Sequence, residues 1–521
     1  MALWLALALA WGALHGWIVP RIDDWRPALE REASRVLGVP VRIGAITAHS
    51  NALMPSFELS EVVLQDAQAR DALRLQRVVV ALSPRSLLNL GMEQLYIEGP
   101  QLEVRRDATG RLWVAGLEVS PATGEASPAA NWFFRQKEVV VLGGALRWVD
   151  EQRSAPPLVL TDVRFVARNG PRRHDLRLDA SPPADWGGAF TLMGELRSPL
   201  LSQHPGRWQD WQGELHADFS AVDLSRLRPY ANLGVDLRSG QGRLRAWADL
   251  DRGRLLGGQA EIDLRQVDAV LVAGRPPLAL ESVAGRLIGK RLGQGFQLET
   301  QALQFQTLDG QRWPGGNLSL AWEPAAAKEP GRGRLRADRL DLQALTRLAD
   351  RLPLTDEQRG LLAQIPRGPD GLAGLIERLD ASWELPATAP AKYKVSARAS
   401  GLVLPADPAS RRPGLRGVTL QGEFDHAGGK AHLEAPGSVL SLPGVLAEPQ
   451  VGLDRLVADL QWKRSDGRLS VSATGIRLAN ADLQAEGQAT WRSAAGAACT
   501  RGLGPHMFPR SLRPTPFAQV V

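Results

Sequence analysis

The residues that could perform chemistry are scattered along this chain. Eight histidines are present, and the closest pair, His426 and His432, flanks the glycine turn at 428–429. Asp425 and Glu434 lie beside this turn, so a hairpin could bring two imidazoles and two carboxylates together. A metal site needs at least three good ligands on fixed geometry, and solvated turn residues are the stronger interpretation. We therefore assign no metal-binding residue.

The short motifs that position catalytic groups are absent. The sequence contains no G-x-S-x-G, no glycine-rich loop ending in G-K-[ST] and no H-E-x-x-H. The GQG pieces at 240–242 and 293–295 are turn glycines, since no βαβ unit surrounds them. The single cysteine, Cys499, allows neither an internal disulfide nor a multi-thiolate site. We predict that the protein is not an enzyme and has no catalytic residue, metal or cofactor.

The charge balance argues against nucleic-acid binding. The net charge is +6, but the last thirty residues contain four arginines and no acid, so the remainder carries only +2. Arginine alternates with aspartate and glutamate along the chain, which is typical of a solvated sheet face. The basic patch with interleaved aromatic residues that nucleic acid requires is missing. We therefore predict no nucleic-acid partner.

An apolar run at residues 2–19 opens the chain. Its length is about the minimum that spans a hydrocarbon core of about 30 Å. No Lys or Arg precedes it, and Trp17 lies near its far end, where an interfacial aromatic is expected. We predict a transmembrane anchor over 1–20 with a non-cytoplasmic body, in preference to a cleaved signal peptide or a buried helix.

The body alternates apolar and polar residues almost throughout, which predicts short antiparallel strands. A short amphipathic helix is expected from Asp23 to the Gly38 stop, and a hairpin turn at 107–110. We divide the body into an N-terminal region at 21–117, a Pro/Ala/Ser/Gly-rich linker at 118–131 and an extended sheet at 132–491. Apolar strand positions such as Leu215 and Phe219 are expected to face inward.

Two further segments break the pattern. A helical insert is predicted near 341–379, interrupted at 366–371. The segment 213–227 weakly resembles 333–348, and in each an aspartate, Asp223 or Asp341, is placed to cap a helical turn. The tail at 492–521 has no period, and we leave open whether it is a genuine disordered tail or an out-of-frame product of a longer gene.

One-sided strands must have their apolar face covered, and few helices are available to cover it. The faces could bury one another in sandwiches or barrels, or the sheet could curl into a trough lined by ligand. Periodicity alone favours self-burial. The sixteen tryptophans, mostly at strand or strand-end positions, are then core or edge residues, although some could line an apolar ligand surface.

Five motifs shift the interpretation from self-burial of the apolar faces toward a trough lined by ligand. They are LG-x-PV-x-IG at 37–44, the strand at 55–64, LSP-x-SLL at 82–88, GP-x-L-x-V-x-RD-x-x-G-x-L at 99–112, and LPLT at 352–355 followed by PRG at 366–368. In this combination the chain resembles AsmA-like proteins, and most of all their YhdP-type branch, over roughly residues 1–491. All five motifs are structural, so the resemblance transfers no catalytic residue.

The resemblance implies a mainly β fold: an N-terminal transmembrane helix, then a long curled antiparallel sheet that forms a groove, with a few short helices. It implies a single-pass inner-membrane protein whose periplasmic body carries phospholipid toward the outer membrane. Members of this branch are generally longer, which suggests a fragment. The alternative is a scaffold for envelope or outer-membrane proteins without lipid cargo. An envelope hydrolase is the weakest candidate, because no nucleophile–base arrangement is present.

Overall fold

The computed structural model describes most of the chain between residues 19 and 492. The described ranges are 19–51, 54–65, 71–83, 91–120, 128–200, 206–230, 236–326, 329–352, 371–386, 390–407, 413–444, 450–465 and 468–492, with the single positions 12, 16, 204 and 359. The chain forms two compact units, Met1–Leu264 and Arg265–Val521, which we describe separately.

The first unit is mainly β, with two α-helices and several short 3-10 turns. Its helices are a 3-10 turn at Val19–Trp25, α1 (Arg26–Leu37), α2 (Pro128–Arg135) and 3-10 turns at Ala184–Trp186, Trp208–Asp210 and Leu224–Leu227. Its strands are β1 (Val41–Asn51), β2 (Met54–Gln65), β3 (Asp71–Ala81), β4 (Gln94–Glu98), β5 (Gln101–Arg106), β6 (Leu112–Val114), β7 (Leu117–Ser120), β8 (Glu138–Asp150), β9 (Ala155–Asn169), β10 (Arg173–Ser181), β11 (Phe190–Arg197), β12 (Gln212–Asp223) and β13 (Asp236–Asp251). The next strand, β14 (Arg254–Val270), contains the boundary between the units.

Helix α1 begins and ends as its sequence predicts. Pro27 occupies the first turn, and Gly38 ends the helix in a left-handed conformation at φ 75°, which favours glycine. Two side chains attach the helix to β1, because Ser34 Oγ accepts the Val41 N–H at 2.8 Å and Glu30 Oε1 accepts the Ile43 N–H at 2.7 Å. Ala33 and Leu37 of α1 pack against the core of the sheet, whereas Leu29 of the same helix is 40% exposed.

Most strands of the first unit pair with their neighbours in the chain. β1, β2, β3 and β4 form one antiparallel series, and β8 to β13 form another through consecutive pairs from β8–β9 to β12–β13. The expectation of a purely antiparallel sheet is wrong at one place, since β8 pairs in parallel with both β4 and β5. The reason is the excursion through β6, β7 and α2, which returns the chain in the same direction, as a parallel pair requires.

The second unit is also a sheet of consecutive strands, with one described helix of more than one residue, α3 (Leu342–Leu348). Its strands after β14 are β15 (Leu278–Leu292), β16 (Gly295–Thr307), β17 (Arg312–Glu323), β18 (Gly331–Ala337), β19 (Leu340–Asp341), β20 (Ala373–Leu385), β21 (Lys392–Leu404), β22 (Gly414–Asp425), β23 (Gly428–Glu434), β24 (Ser438–Ser441), β25 (Gln450–Leu453), β26 (Arg455–Ser465), β27 (Arg468–Ala479) and β28 (Gln484–Arg492).

Pairing in the second unit is antiparallel throughout its described strands. It runs from β15 through β16, β17 and β18 to β20, then through β21, β22, β23 and β26 to β27 and β28. The two aspartate caps are confirmed, because Asp223 Oδ1 accepts the Ser225 N–H at 3.0 Å and Asp341 Oδ1 accepts the Ala344 N–H at 2.8 Å.

Two segments differ from their predicted structure. The linker predicted at 118–131 is strand up to Ser120 and helix from Pro128, and 121–127 lies outside the described residues. Its alanine-rich end is helical because Ala130, only 2% exposed, packs into the first unit. The helical insert predicted at 341–379 is helical at Leu342–Leu348 and at the single described position Arg359, whereas β20 begins at Ala373. The apolar residues from 373 onward pair with β21, so tertiary pairing overrides the local helical spacing.

The proposed anchor lies almost entirely outside the described residues. Val19 and Pro20 belong to the 3-10 turn that precedes α1. Within the described part of the chain, no helix has both the length and the apolar character needed to cross a membrane. The tail beyond Arg492 also lies outside the described residues.

Candidate functional site

The register of β9 to β13 places apolar side chains in rows across one face of the sheet. Paired positions in neighbouring strands project on the same side, so one row can be followed from strand to strand. This row consists of Phe165, Leu178, Leu192, Ala217 and Ala246. A second row, from Ala167 through Leu176, Gly194 and Leu215 to Ala248, lies beside it. The alternation in the sequence has therefore become one continuous apolar face.

The other face of the same strands carries paired charges. Arg177 Nε lies 2.8 Å from Asp179 Oδ2, and Arg245 Nε lies 3.3 Å from Asp218 Oδ2. These pairs are exposed to solvent, and pairs of this kind contribute about 0–1 kcal/mol each. Their role is to keep this face soluble and its charges matched rather than to hold the sheet together.

The apolar face is covered at its β9 end, where Ala167 is fully buried in a core that Phe165 and Leu176 also contact, but it stays accessible on β11 and β12. Leu192 is 36% exposed and Leu215 is 37% exposed, although both belong to its rows. Contiguous apolar surface of this kind on a folded protein marks a place where something else binds. We take this face, with the cavity described next, as the candidate site.

A cavity of about 390 Å³ lies at one end of this face. Its volume falls within the range of about 300–1,000 Å³ that is usual for ligand sites. None of its lining residues carries a charge: they are Val104, Leu146, Trp148, Leu158, Leu160, Leu178, Pro182, Trp186, Gly188, Phe190, Leu192, Phe219, Ala221, Val222, Leu227 and Tyr230. The arrangement suits a hydrocarbon ligand and offers no group for acid–base or nucleophilic chemistry.

Aromatic rings shape the cavity wall. Phe190 and Phe219 stack across β11 and β12 with centroids 5.2 Å apart. Trp186 and Tyr230 come from the turns after β10 and β12, and their centroids lie 5.3 Å apart. The Tyr230 hydroxyl donates to the Pro156 carbonyl at 2.7 Å, which removes its polar group from the cavity, and burial raises the pKa of this phenol.

The ion pair between Arg106 and Asp150 lies next to Trp148 of the cavity lining. The Arg106 guanidinium lies 6.0 Å from the ring centre of Trp148 and pairs with Asp150, which is only 1% exposed. Burial raises the pKa of the Asp150 carboxyl, but hydrogen bonds from Arg106 and Arg153 outweigh it, so the pKa lies below its ordinary value. The carboxylate is therefore charged and paired, and the cavity wall carries no net charge there.

The second unit repeats the apolar face. One row follows the register from Leu298 through Leu320, Leu335 and Ala381 to Val395. Phe296 is 40% exposed and Leu298 is 49% exposed, so this face is also accessible. Among the described residues, Leu342 of α3 packs against the core cluster of Ala399, Leu402, Val418 and Ala435 and helps to cover that part of the unit.

Two depressions of about 540 Å³ each lie in the second unit, and many of their lining residues are charged. Several of the charged groups that line them are paired with one another. Arg332 Nε lies 3.5 Å from Glu384 Oε1, and Arg336 Nε lies 3.3 Å from Asp380 Oδ2. We prefer the smaller cavity as the site, because its uncharged lining differs from the rest of the surface.

The two histidines considered as metal ligands have other roles. His432 Nδ1 lies 2.7 Å from Asp459 Oδ1, and hydrogen bonds to Asp459 and Glu434 raise its pKa. His426 packs edge-on against Tyr393 at 6.3 Å. In the part of the chain that the structure describes, no three potential ligands are grouped as a metal site.

Sequence reasoning found part of the cavity. Phe219, expected to face inward, lines it, whereas Leu215 lies on the apolar face outside it. Tyr230 was missed because it belongs to a connection, where no periodicity indicates direction. Trp186 was anticipated only as one of the tryptophans of which some could line an apolar ligand surface. The usable signal was the presence of large aromatic residues in the connections after β10 and after β12.

Comparison with known proteins gives two matches. A sequence model of the family described as YhdP protein matches residues 1–506. The protein of Escherichia coli (strain K12) named Intermembrane phospholipid transporter YhdP is 24% identical over 344 residues, which cover 63% of this chain and 25% of that protein. The match thus spans about a quarter of the relative's length. No solved structure gives a significant match.

Proposed function

Because the chain belongs to the YhdP family, we propose that it is a membrane-anchored periplasmic protein that carries phospholipid between the inner and outer membranes. Its apolar sheet face would form the groove in which the acyl chains lie. The relative in Escherichia coli is named as an intermembrane phospholipid transporter, which supports this assignment.

The observation that carries the proposal is the accessible apolar face. Leu192, Leu215 and Leu298 are between 36% and 49% exposed, yet all three lie in continuous apolar rows. Each buried methylene of an acyl chain contributes about 0.8 kcal/mol of transfer free energy. A hydrocarbon chain lying on these rows would therefore bind by many small contacts, none of which requires a specific polar group.

The anchor also belongs to the proposal. Residues 2–19 form the apolar run that the sequence offers for it, and single-pass insertion in the inner membrane would place the body in the periplasm. Fractionation of a tagged chain, with protease protection of the body, tests this placement.

The test uses two neighbouring residues on opposite faces of β11. Leu192 belongs to the apolar face, whereas Met193 pairs with Arg177 on the charged face. We expect Leu192→Glu to lower co-purified phospholipid about tenfold, because a carboxylate on the apolar face must be desolvated when an acyl chain covers it. Met193→Glu adds the same charge and should leave the bound lipid unchanged. Lipid is measured by mass spectrometry of the purified full chain.

Two results would contradict the proposal. Well-folded protein that contains no phospholipid would exclude a lipid cargo, and equal lipid content in both variants would show that the apolar face is not the binding surface. Cross-linking to envelope proteins without acyl chains would instead support the scaffold alternative.

A further inference from the structure

The cavity of the candidate site is covered by two connections of the chain. Residues 182–188 follow β10 and contribute Pro182 and Trp186 to its lining, and residues 224–230 follow β12 and contribute Leu227 and Tyr230. We call these two segments the roof. Leu192, which lies at the border between the cavity and the open rows, is 36% exposed. The apolar face is therefore roofed at the cavity and open beside it.

Backbone contacts hold the first roof segment against β12. Gly187 forms an isolated antiparallel bridge with Val222, and the Gly188 N–H donates to the Ala221 carbonyl at 2.9 Å. Gly187 has a φ of 128°, and a Cβ there would stand 2.1 Å from the Ala221 carbonyl oxygen, so this close approach requires glycine. The position of the first roof segment is thus fixed by the backbone of β12.

Side chains join the two roof segments to each other and to β9. Arg226 Nη2 lies 2.9 Å from Asp185 Oδ2, and the ring centroids of Trp186 and Tyr230 lie 5.3 Å apart. The Tyr230 hydroxyl donates to the Pro156 carbonyl at 2.7 Å. Pro156 belongs to β9, which is separated from β12 by β10 and β11, so this contact carries the roof across two strands.

The floor of the cavity is an apolar core cluster. Leu160, Val163 and Ala180 form this cluster and are between 2% and 7% exposed. Partly buried residues of the cavity lining pack against it, namely Leu146, Leu158, Leu178 and Phe190. The cavity thus lies between a packed floor and a separate roof, and the space between them is available to a ligand.

The strand register gives the cavity a direction. Its lining includes one leucine from each of four strands that pair in the order β11, β10, β9 and β8, namely Leu192, Leu178, Leu160 and Leu146. Neighbouring strands lie about 4.8 Å apart, so this path is about 14 Å long. It begins at the exposed Leu192, where the cavity meets the open rows. A hydrocarbon chain that enters there can lie across four strands.

The apolar surface ends beyond Trp148. Val104 of β5 pairs with Trp148 of β8, and the next pair on the same face of these strands is Arg106 with Asp150. Both Nε and Nη2 of Arg106 donate to the Asp150 carboxylate, so this side of the guanidinium is already used. An ion pair offers no surface to hydrocarbon. The path therefore has a stop at the pair of Val104 and Trp148.

The chemistry and size of the cavity exclude a lipid headgroup. None of its lining residues carries a charge, and the Tyr230 hydroxyl is directed to the Pro156 carbonyl. A phosphate in the cavity would lose its hydration without gaining a charged partner. The volume of about 390 Å³ is near the lower end of the range for drug-sized ligands. A phospholipid with two acyl chains is larger than such ligands, so only part of one fits.

We propose that this cavity is an end stop for one acyl chain of a bound phospholipid. The methyl end enters at Leu192 and stops at the pair of Val104 and Trp148, while the glycerol and headgroup stay on the open face. This inference rests on the proposed function and adds a fixed position and a dependence on chain length to it. A chain too short to reach the stop leaves part of the cavity empty, and each missing methylene lowers its affinity about fourfold.

The first experiment locates the chain end in the unmodified full chain. The protein is loaded with phosphatidylcholine that carries a diazirine either at the methyl end of one acyl chain or beside the glycerol, and is then irradiated, digested and analysed by mass spectrometry. We expect the methyl-end probe to label Leu146, Trp148 and Leu178 about tenfold more than the glycerol probe does, because an uncharged lining excludes the ester groups. The glycerol probe should label the open face, at Leu215 and Ala248.

A second experiment tests the dependence on chain length. Ala221 lines the cavity, whereas Ala248 lies beside Leu215 on the open face. The protein is incubated with vesicles that contain equal amounts of distearoyl and dimyristoyl phosphatidylcholine. Ala221→Phe should lower the bound ratio of distearoyl to dimyristoyl lipid about tenfold, because the new ring occupies the space of about two methylenes. Ala248→Phe is the matched control and should leave this ratio unchanged. Ala221→Leu, which adds less volume, repeats the test with less strain on the fold.

The outcomes separate the end stop from the proposed function. Equal labelling of the cavity by both probes, in protein that contains lipid, overturns the end stop and leaves lipid transport intact. An unchanged lipid ratio in folded Ala221→Phe and Ala221→Leu overturns the dependence on chain length in the same way. Protein that binds no phospholipid and is labelled by neither probe overturns the proposed function and the end stop together.

Discussion

Strands β1–β4 and strands β10–β13 of the first unit share one sequence pattern but differ in what covers them. In the first set Ile43 and Leu75 are each 6% exposed, because helices α1 and α2 contribute Leu37 and Phe133 to the same core. In the second set Leu192 is 36% exposed and Leu215 is 37% exposed. The alternation of apolar and polar residues produces an apolar face in both sets of strands. Protein covers most of this face only where α-helices pack against it.

The comparison shows where stability and function reside in this unit. Burial of large apolar side chains stabilises the covered strands by about 1.5–3 kcal/mol each. Strands β10–β13 gain less of this stabilisation, because part of their apolar face stays exposed. That exposed face is a surface on which a hydrocarbon chain can bind. Helices α1 and α2 thus complete a protein core, and the strands without helices provide the candidate site.

The largest expected effect comes from truncating a leucine in each region. Leu75→Ala should lower the free energy of unfolding by about 2–5 kcal/mol, because it leaves a cavity in a covered core. Leu192→Ala should lower it by less than about 1 kcal/mol, since its side chain is partly in water already. Urea denaturation of lipid-free protein measures both, and equal losses would show that protein also covers Leu192.

Glycine positions on the open face of the second unit give the next effect. Gly333→Ala should destabilise that unit by about 1–3 kcal/mol, because the new methyl group overlaps the Trp383 ring and must displace it. Gly289→Ala is the control, since its Cβ would meet only Leu298 Cδ2 at an ordinary 3.6 Å. Unfolding followed by tryptophan fluorescence tests the pair, and an unaffected Gly333→Ala would mean that the ring does not rest on the sheet.

His174 connects the covered and open regions and should respond to pH. It is 1% exposed, stacks on Trp211 at 4.1 Å and contacts Phe134 of α2, and burial lowers its pKa from 6.5 to about 4. Between pH 6.5 and about 4, His174 is therefore protonated in the unfolded chain but neutral in the folded chain. Stability from this residue is complete above pH 6.5 and falls as the pH drops from about 6.5 to 4.

His174→Gln should remove this pH dependence while lowering stability at pH 8, where the Nδ1 hydrogen bond with Asn169 is lost. Melting temperatures measured between pH 4 and 8 test it. His432→Gln is the matched control, because His432 is exposed and its pKa is raised, so its contribution has the opposite sign. A wild-type slope that persists in His174→Gln would assign it to another group.

The smallest effect is expected at the two aspartate caps. Asp341→Ala and Asp223→Ala should each lower the free energy of unfolding by about 1 kcal/mol, because each leaves a helical-turn N–H without its acceptor. Replacement by Asn, which also caps, should restore most of the loss. Differential scanning calorimetry can compare the four variants, and a neutral Asp341→Ala would show that α3 contributes nothing to covering its end of the sheet.

Local patterns predicted the strands well, and tertiary features were less predictable. Alternation located β2, β3 and β12, and Gly38 and the turn at 107–110 ended elements where expected. The parallel pairing of β8 was not predictable, since it depends on the path through α2. The strand that begins at Ala373 was missed for a related reason: its apolar spacing fits a helix until β21 lies beside it.

The site shows the same limit. Phe219 follows from its place in a strand, whose direction alternation fixes. Trp186 and Tyr230 approach each other from separate connections, and only the finished pairing of β10 to β13 brings those connections together. The exposure of Leu192 was also beyond sequence reasoning, because a covered leucine and an open leucine have the same neighbours in the chain.

Consecutive pairing in the second unit has a consequence for how such a chain can change in length. Among the described strands from β15 onward, most pair with the two strands beside them in the sheet, although β20 and β22 each pair with three. The energetics of the unit therefore approximate those of a one-dimensional array with nearest-neighbour coupling. Inserting or deleting one hairpin alters two interfaces and leaves the remainder intact. A sheet of this kind can be lengthened by duplicating a hairpin, because its strands do not share one common core that would have to change.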